Sequence, residues 1–495
     1  MSRPPIGTLL MVFVCAGSRL LAQAPATTSD TIYAPSRCGP PPSPGAPDAI
    51  DRAALAWMQR SRTPAVAIAI SRQGHIVLER AYGWADLVAC VPATLDSRFG
   101  VGSITKQVTA LGALILVEQG KLRLDDLVAR WLPESGTRWQ GVSVRHLLTH
   151  TSGIRDSGHD DPVYPQIEID KKVDLTDSAL VARLAADPLN FPPGTGWAYS
   201  NTGYLLLSII IGRAGGELFP VWMHEHVFAP LGMNATRYFD PTEIIPTMAR
   251  GYTIERGGHL RQGYYSSRSY SQRGDMGMVS TAHDMALWSA ELDSSRLVSP
   301  ARHALMLEPV RLSDGSAFPY GFGVTLDDYR GAPVLQHAGT YAAGYSANLV
   351  VLPERGLSVI VLTNQHQADP WVFSATLLGL ADSTLRAIAS LPAERDRMPE
   401  RTRRLTALLN GDSTAAPATP AWRRLMYPQV RGSLSEVLPL TVEFVTCDDV
   451  AARRIERFGG MAALECYYRL RHDAVALTLS VMYTRDGRIN GMFPR

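Results

Sequence analysis

The sequence predicts an α/β (α+β) fold. In the first domain, an antiparallel sheet flanked by helices is combined with an all-α half. A small α+β domain follows at the C-terminus. Three observations predict this fold. Apolar runs of strand length occur both near the start of the chain and again after residue 320, and the long region between them has mostly helical spacing. A charged, proline-bearing segment at 392–399 then separates a remainder that has strand patterns of its own.

Length and composition set the outer limits. A chain of 495 residues exceeds what one hydrophobic core usually serves, so a large domain plus a smaller one is expected. The 46% of hydrophobic and 19% of charged residues suit a globular protein. The net charge is only +2 and no basic block is dense enough to follow a phosphate backbone, so nucleic acid is not an expected partner.

The N-terminus has the three-part pattern of a secretory signal. Arg3 precedes an apolar run at 6–16, and small residues follow around Ala22 and Ala24. Residues 1–22 are therefore predicted to be a signal peptide, with cleavage after Ala22 favoured over cleavage after Ala24 because Pro25 fits poorly as a first residue. The apolar run is too short for a stable membrane span. We expect a periplasmic or secreted protein.

Four cysteines remain after the signal peptide, an even number in an oxidising compartment. Two local disulfides are predicted. Cys38 would pair with Cys90 and join the N-terminal segment to the first hairpin, and Cys447 would pair with Cys466 within the C-terminal domain. The alternative is four buried free thiols.

Residues 23–48 are rich in proline, serine and threonine and are expected to form an extended linker. The first folded domain is predicted to span 49–391. Its central region includes a segment at 155–174 whose charges and prolines are typical of a surface loop over a cleft. The patterns predict helices at 49–60, 103–118 and 370–390 and strands at 65–71, 75–82, 320–326, 334–337, 345–352 and 357–363.

The second domain, 392–495, is predicted to be a small α+β unit. The patterns place its helix at 401–409 and its strands at 440–446, 465–471 and 474–483. It contains no internal repeat and no catalytic constellation. Binding, docking and steric shielding remain open as its role.

Ser103 and Lys106 are the first candidate catalytic residues. They lie three positions apart at the start of a predicted buried helix, so their side chains share one helical face. A serine hydroxyl is a weak nucleophile until a neighbouring base accepts its proton, and a buried lysine amine can be that base. The helix N-terminus also favours the negative oxygen that acyl transfer creates.

Tyr199 and Asn201 form the second candidate group. They follow a turn-rich Pro-Pro-Gly-Thr-Gly-Trp stretch at 192–197, which would hold them rigidly in a loop. Tyr199 is predicted to act as a second acid or base, and the Asn201 amide to hydrogen-bond both the substrate and Lys106.

The third group is the His337-Ala338-Gly339-Thr340 segment at the end of a predicted strand. His337 and Gly339 are expected to orient the substrate, because glycine lets its backbone approach closely. The backbone N–H groups of Ser103 and Thr340 would form an oxyanion hole.

These elements, in this order, resemble the serine β-lactamase and penicillin-binding-protein superfamily, whose motifs are Ser-x-x-Lys, Tyr or Ser with Asn, and Lys-Thr-Gly. The similarity is to the branch of class C enzymes, esterases and D-amino-acid peptidases, which uses Tyr-x-Asn. It implies a β-lactamase/transpeptidase-like fold for the first domain. Supporting segments lie at 147–154, 230–233 and 277–282.

One departure bears on substrate. His337 stands where β-lactamases usually have lysine, so the positive charge that meets a substrate carboxylate is expected to depend on pH. This weakens the case for β-lactam hydrolysis and favours an esterase or peptidase. His150, in the Leu-Leu-Thr-His segment, is interpreted as a structural hydrogen-bonding residue.

The sequence thus predicts a serine hydrolase that forms an acyl-enzyme at Ser103 with an ester, amide or β-lactam substrate. No cofactor and no metal are expected, and the partners would be small molecules or peptides, including peptidoglycan fragments. The alternative is a non-catalytic or slowly acylated sensor that binds penicillin or peptidoglycan.

Overall fold

The computed structural model describes residues 38–39, 45–158, 163–255, 258–434, 438–472 and 475–495. The predicted signal peptide at 1–22 and most of the predicted linker at 23–48 lie outside this part of the chain. The described residues form two compact units, a larger one within 29–157 and 167–387 and a smaller one within 158–166 and 388–495. The division falls at Ile388, whereas the sequence placed it after residue 391.

The larger unit combines many short helices with one extended sheet. Its helices are α1 (Ala49–Ser61), α2 (Thr105–Glu118), α3 (Val128–Trp131), α4 (Val144–Leu148), α5 (Asp177–Leu184), α6 (Asn201–Gly215), α7 (Phe219–Met223), α8 (Ala229–Leu231), α9 (Arg268–Ser271), α10 (Ala282–Asp293), α11 (Pro300–Met306) and α12 (Pro370–Ala381). Its strands are β1 (Ala65–Arg72), β2 (His75–Asp86), β3 (Val91–Pro92), β4 (Phe99–Gly100), β5 (Arg237–Tyr238), β6 (Tyr252–Ile254), β7 (Leu260–Gln262), β8 (Met278–Ser280), β9 (Val310–Arg311), β10 (Ala317–Phe318), β11 (Thr325–Tyr329), β12 (Ala332–Tyr341), β13 (Tyr345–Leu352) and β14 (Leu357–Thr363).

The main sheet has seven strands in the order β11-β12-β13-β14-β1-β2-β3. Its pairings are antiparallel, and β1 lies between β2 and β14, so the first and last strands of the unit meet. The β1–β2 turn is formed by Gln73 and Gly74, which both have positive φ values of 50° and 75°. That pair of angles is the requirement of a tight hairpin turn.

Helices cover both faces of the central strands. The α10 helix packs on β1, β13 and β14, while α12 packs on β13 and β14 with α1 against it. The Trp57 ring of α1 stacks on Phe373 of α12 at 5.0 Å between centroids. Because both faces are covered, β13 and β14 are buried along their whole length and show no alternation of buried and exposed residues.

The helix that carries the first candidate residues is central to the unit. Every residue of α2 except Glu118 is buried, and the helix packs on α6. It follows a 3₁₀ turn at Gly102–Ile104, so Ser103 lies in this tighter turn rather than in the α-helix that the sequence predicted from residue 103.

Two predicted elements differ from the structure. The strand predicted at 320–326 lies at Thr325–Tyr329 instead, because Gly323 has a φ of +72° and ends the extended conformation before it. The helix predicted at 370–390 ends at Ala381. The side chain of Asp382 accepts a hydrogen bond from the backbone of Thr384 and starts a separate 3₁₀ turn there.

The smaller unit is an α+β arrangement. Its elements are α13 (Pro399–Leu409), α14 (Pro420–Leu425), α15 (Tyr427–Leu434), β15 (Thr441–Asp449), β16 (Glu456–Arg457), β17 (Gly460–His472), β18 (Val475–Thr484) and β19 (Ile489–Pro494). The antiparallel sheet has the strand order β15-β17-β18-β19. Leu405, Trp422 and Tyr468 are buried in this unit. The sequence analysis missed α14, α15, β16 and β19.

Both predicted disulfides are confirmed. Cys38 and Cys90 are bonded with their Cα atoms 5.3 Å apart. Cys447 and Cys466 lie opposite each other on β15 and β17 and are also bonded.

In the described part of the chain, no single helix is long and apolar enough to span a membrane. Asn201–Gly215 and Phe219–Leu231 together have sufficient length and apolar character, but the two helices are bent by 80° relative to each other.

Candidate active site

Ser103 and Lys106 are in contact. The Lys106 Nζ lies 3.0 Å from the Ser103 Oγ, and both residues are almost completely buried. The Gly102–Ile104 turn and the first turn of α2 bring the two side chains to the same side. The structure thus places the first two candidate residues at hydrogen-bonding distance, as their spacing predicted.

Lys106 has two further acceptors. Its Nζ donates to the Asn201 Oδ1 at 2.8 Å and to the backbone carbonyl of Asp275 at 2.7 Å. Together with the Ser103 Oγ, these match the three N–H bonds of an ammonium group. In the neutral amine, two N–H bonds remain for the two carbonyl oxygens and the nitrogen lone pair faces the Ser103 hydroxyl. The geometry therefore suits proton transfer between serine and lysine.

Tyr199 lies beside this pair. The Lys106 Nζ is 4.8 Å from the centroid of the Tyr199 ring, and the ring is 6.2 Å from that of His337. Tyr199 precedes Ser200, the N-cap of α6, whose Oγ accepts a hydrogen bond from the backbone of Gly203. The helix start thus fixes both residues that flank Ser200.

Asp156 is a site residue that the sequence interpretation missed. The Asn201 Nδ2 donates to its Oδ2 at 3.1 Å, and the backbone N–H of Thr202 donates to its Oδ1 at 2.8 Å. Asp156 is 3% exposed, so the prediction that 155–174 is a surface loop was wrong at this position. An aspartate in a polar segment carries no local signal that it is buried, and only the folded chain brings it to α6.

Gly102 and Gly339 allow the 3₁₀ turn and β12 to touch. A Cβ on Gly102, whose φ is +54°, would lie 2.6 Å from the backbone N of Thr340. A Cβ on Gly339 would lie 1.9 Å from the Val101 carbonyl oxygen and 3.0 Å from the backbone N of Ser103. The absence of both side chains lets the backbone at Ser103 and the backbone at Thr340 approach each other, as the predicted oxyanion hole requires.

His337 is fully buried, and both ring nitrogens bond protein atoms. Its Nε2 lies 3.1 Å from the Tyr320 Oη and its Nδ1 lies 2.6 Å from the Ala338 carbonyl oxygen. Burial lowers the pKa of His337 to about 3, and the nearby positive charge of Lys106 acts in the same direction. The imidazole is therefore neutral near pH 7, and the predicted dependence of its charge on pH would fall in the acidic range.

Asp275 adds a carboxyl group to the surroundings of Lys106. Burial raises the pKa of this carboxyl, while the positive charges of Lys106 and Lys171 oppose that increase.

Within the residues that the structure describes, no group of three or more His, Cys, Asp or Glu side chains is arranged to hold a metal ion.

A family model described as Beta-lactamase matches residues 50–382, which is more than half of the chain. The chain belongs to the β-lactamase family. It is 29% identical over 411 residues to penicillin-binding protein 4* of Bacillus subtilis, covering 76% of this chain and 89% of that protein. It is 33% identical over 350 residues to the esterase EstB of Burkholderia gladioli, covering 62% and 88% of the two chains.

Other relatives extend this β-lactamase-family comparison. A D-aminopeptidase of Gluconobacter oxydans is 28% identical over 405 residues, covering 78% of this chain and 72% of that one. Among solved structures, the penicillin binding protein from Bacillus halodurans is similar with a TM-score of 0.55 and 26% identity over 66% of this chain and 99% of that chain.

The octameric penicillin-binding protein homologue from Pyrococcus abyssi has a TM-score of 0.59 and 22% identity, covering 89% of this chain and 94% of that chain. These similarities confirm the predicted β-lactamase/transpeptidase-like fold, with its large antiparallel sheet flanked by helices. As a member of this family, the chain is a serine hydrolase.

Proposed function

We propose that this serine hydrolase cleaves ester or amide bonds by acylating Ser103. The contact between the Lys106 Nζ and the Ser103 Oγ carries the proposal. It supports the proposal because an amine at this distance can accept the proton of the hydroxyl, and two carbonyl oxygens hold that amine in place.

The first half of the reaction forms the acyl-enzyme. The Ser103 Oγ attacks the substrate carbonyl carbon while its proton passes to Lys106 in its neutral amine form, and the negative carbonyl oxygen is held by the N–H groups of Ser103 and Thr340. The tetrahedral intermediate collapses, and the bond to the leaving alcohol or amine breaks. Tyr199 and Lys106 return the proton to that leaving group.

The second half releases the product. Water attacks the Ser103 ester and gives its proton to the same pair of groups, and the acid leaves as the Ser103 hydroxyl is restored. Asn201 orients both Lys106 and the substrate amide or ester, and Gly339 lets the substrate backbone lie along β12.

The charge at the third motif narrows the substrate class. His337 is neutral and buried, so this position offers no fixed cation to a carboxylate on the leaving-group side. Neutral esters and amides should therefore be better substrates than β-lactams. The relatives named esterase and D-aminopeptidase support the same choice. The two disulfides and the predicted signal peptide support export to the periplasm or medium.

Covalent labelling tests the proposal. We expect a fluorophosphonate to add once per chain, at Ser103, and Ser103→Ala to abolish both labelling and turnover of p-nitrophenyl butyrate. Ser208→Ala is a matched control, because its buried hydroxyl donates to the Leu205 carbonyl within α6. Labelling at another residue, or turnover by Ser103→Ala, would overturn the proposal. A slowly acylated sensor would release about one equivalent of product and stop.

The substrate class can be tested with two acetate esters. Phenyl acetate and 3-acetoxybenzoate have leaving groups of similar acidity, but only the second carries a carboxylate. We expect the neutral ester to have the higher kcat/KM. A clear preference for 3-acetoxybenzoate would show that the site supplies a cation and would reject this substrate class. D-alanine p-nitroanilide and a chromogenic cephalosporin then compare amide and β-lactam cleavage directly.

A further inference from the structure

Two histidines and a tyrosine form a continuous hydrogen-bonded chain beside the site. The Tyr320 Oη lies 3.1 Å from the His150 Nε2 and 3.1 Å from the His337 Nε2. All three side chains are at most 1% exposed. In such surroundings each polar atom depends on its protein partner, because water does not replace a lost hydrogen bond.

The two ends of this chain determine where its protons lie. The backbone N–H of Ser200 donates to the His150 Nδ1 at 3.1 Å, so that nitrogen is unprotonated and the His150 proton is on Nε2. The Nε2–H donates to the Tyr320 Oη, whose own proton then donates to the His337 Nε2. The His337 proton is therefore on Nδ1, where it donates to the Ala338 carbonyl at 2.6 Å.

The hydrogen-bonded chain of His150, Tyr320 and His337 connects two motifs that are far apart in the amino-acid sequence. Ser200 is the middle residue of Tyr199-Ser200-Asn201, and His337 opens the segment that ends with Thr340. His150 is held firmly at the first of these motifs, since its carbonyl also accepts a hydrogen bond from the backbone of Ala198 at 3.0 Å. Its φ of +58° is a conformation that residues with a side chain rarely adopt, and it persists where the surroundings impose it.

We propose that Tyr320 and His150 are positioning residues of the proposed hydrolase: their hydrogen bonds hold the Nε2 of His337, whose proton lies on Nδ1, and thereby fix β12, with the Thr340 N–H, relative to the Tyr199 loop. The inference rests on the proposed function for its effect on turnover. The alternative tautomer would direct the bare Nδ1 at the Ala338 carbonyl and the Nε2–H at the tyrosine, so two lone pairs would face each other across 2.6 Å.

Tyr320→Phe in the full-length protein is the decisive variant, because it removes one oxygen and keeps the ring that packs against His150 and Trp197. Tyr345→Phe is its matched control. That side chain is equally buried in the same unit, and its hydroxyl donates to the Ala249 carbonyl at 2.6 Å, outside the proposed site.

The first measurement reads tautomers without any substrate. Long-range ¹H–¹⁵N spectra of histidine-labelled protein, assigned with His150→Gln and His337→Gln, should show the Nε2–H form of His150 and the Nδ1–H form of His337. In Tyr320→Phe His337 should keep the Nδ1–H form, but the ¹⁵N resonance of its Nε2 should move because this nitrogen loses the hydrogen bond from Tyr320, while Tyr345→Phe should leave the resonance unchanged; an unmoved resonance in Tyr320→Phe would overturn the proposal. An Nε2–H form of His337 in the wild-type protein would overturn the proposal.

The second measurement is turnover of p-nitrophenyl butyrate. We expect Tyr320→Phe to lower kcat by about 10-fold or more with KM changed by less than about 3-fold, whereas Tyr345→Phe keeps both. A moved Nε2 resonance with unchanged kcat would reject the positioning role. If the wild-type protein hydrolysed no ester or amide, the proposed function would fail, and the tautomer result would still decide whether the hydrogen-bonded chain exists as described.

Discussion

Asp156 holds the side-chain amide of Asn201 with its oxygen turned toward Lys106. The Asp156 Oδ2 accepts from the Asn201 Nδ2 at 3.1 Å, and the Asn201 Oδ1 accepts from the Lys106 Nζ at 2.8 Å. A carboxylate can only accept, so it selects the NH₂ end of the amide and leaves the oxygen for the lysine. Asp156 thus orients the Lys106 amine, which lies next to Ser103, through the side chain of Asn201.

Asp156→Ala should therefore lower turnover without unfolding the protein. Without the carboxylate, the Asn201 amide can rotate and point its NH₂ at Lys106, which moves the amine from Ser103. We expect kcat for p-nitrophenyl butyrate to fall by about 100-fold. Asp125→Ala is the control, because Asp125 pairs with Arg145 at an exposed position and should leave kcat within about 2-fold. Equal activity of the two variants would contradict the role given to Asp156.

Asp156→Asn removes the negative charge of the side chain but keeps an oxygen that can accept a hydrogen bond. Its amide oxygen can still accept from the Thr202 backbone N–H, which Asp156 bonds at 2.8 Å. We expect the loss of kcat to be smaller than in the alanine variant but measurable, since the new amide no longer forces one orientation on Asn201. Steady-state kinetics on both variants measure this order, and an asparagine variant less active than the alanine variant would contradict it, because both variants lack the charge and only asparagine keeps an acceptor for the Thr202 N–H.

Gly102→Ala tests the oxyanion hole by geometry. The added methyl group would lie 2.6 Å from the Thr340 backbone N, and the two N–H donors would have to separate. We expect kcat to fall by about 100-fold or more. Gly120→Ala is a matched control, since Gly120 also has a positive φ of +69° but no atom within 4 Å of the added group. It should lower stability by about 1 kcal/mol and keep kcat. Similar kcat values for the two variants would argue against the hole.

The sequence predicted the parts of this site that depend on local spacing. Ser103 and Lys106 are one helical turn apart, and any helix beginning there brings them together. The strands at 345–352 and 357–363 were predicted because each is a mostly apolar run bounded by glycine or polar residues, as is typical of strands covered on both faces.

The parts of the site that depend on contacts between residues far apart in the sequence could not be predicted from local spacing. Tyr320 was placed in a strand, yet it forms only an isolated bridge to Thr325 and its hydroxyl joins two histidines. Asp156 and His337 carry no sign in the sequence of how deeply they are buried. Burial, and with it the neutral state of His337, is set by the surrounding fold.

The disulfides should differ in their effect on stability. Cys38–Cys90 spans 52 positions and Cys447–Cys466 spans 19. If each bond acts by restricting the unfolded chain, their removal should cost about 4 and about 3 kcal/mol respectively. Thermal unfolding of the Cys38→Ser/Cys90→Ser and Cys447→Ser/Cys466→Ser variants measures this, and a larger loss for the second variant would contradict the entropic order.

His337 should make the folded protein less stable as the pH falls. A histidine in the unfolded chain binds a proton below about pH 6.5, whereas folded His337 stays neutral down to about pH 3. The unfolded state therefore binds more protons in this interval. The free energy of unfolding decreases toward low pH, by about 3 kcal/mol between pH 6.5 and pH 4 for this one group.

His337→Gln is the matched control for this prediction. Its amide oxygen can accept a hydrogen bond from Tyr320 and its NH₂ can donate to the Ala338 carbonyl, but the glutamine side chain does not titrate. Urea unfolding of both proteins at pH 7 and pH 4 isolates the difference, because the other titrating groups are shared. An equal loss of stability in the two proteins would mean that His337 is protonated in the folded state as readily as in the unfolded one.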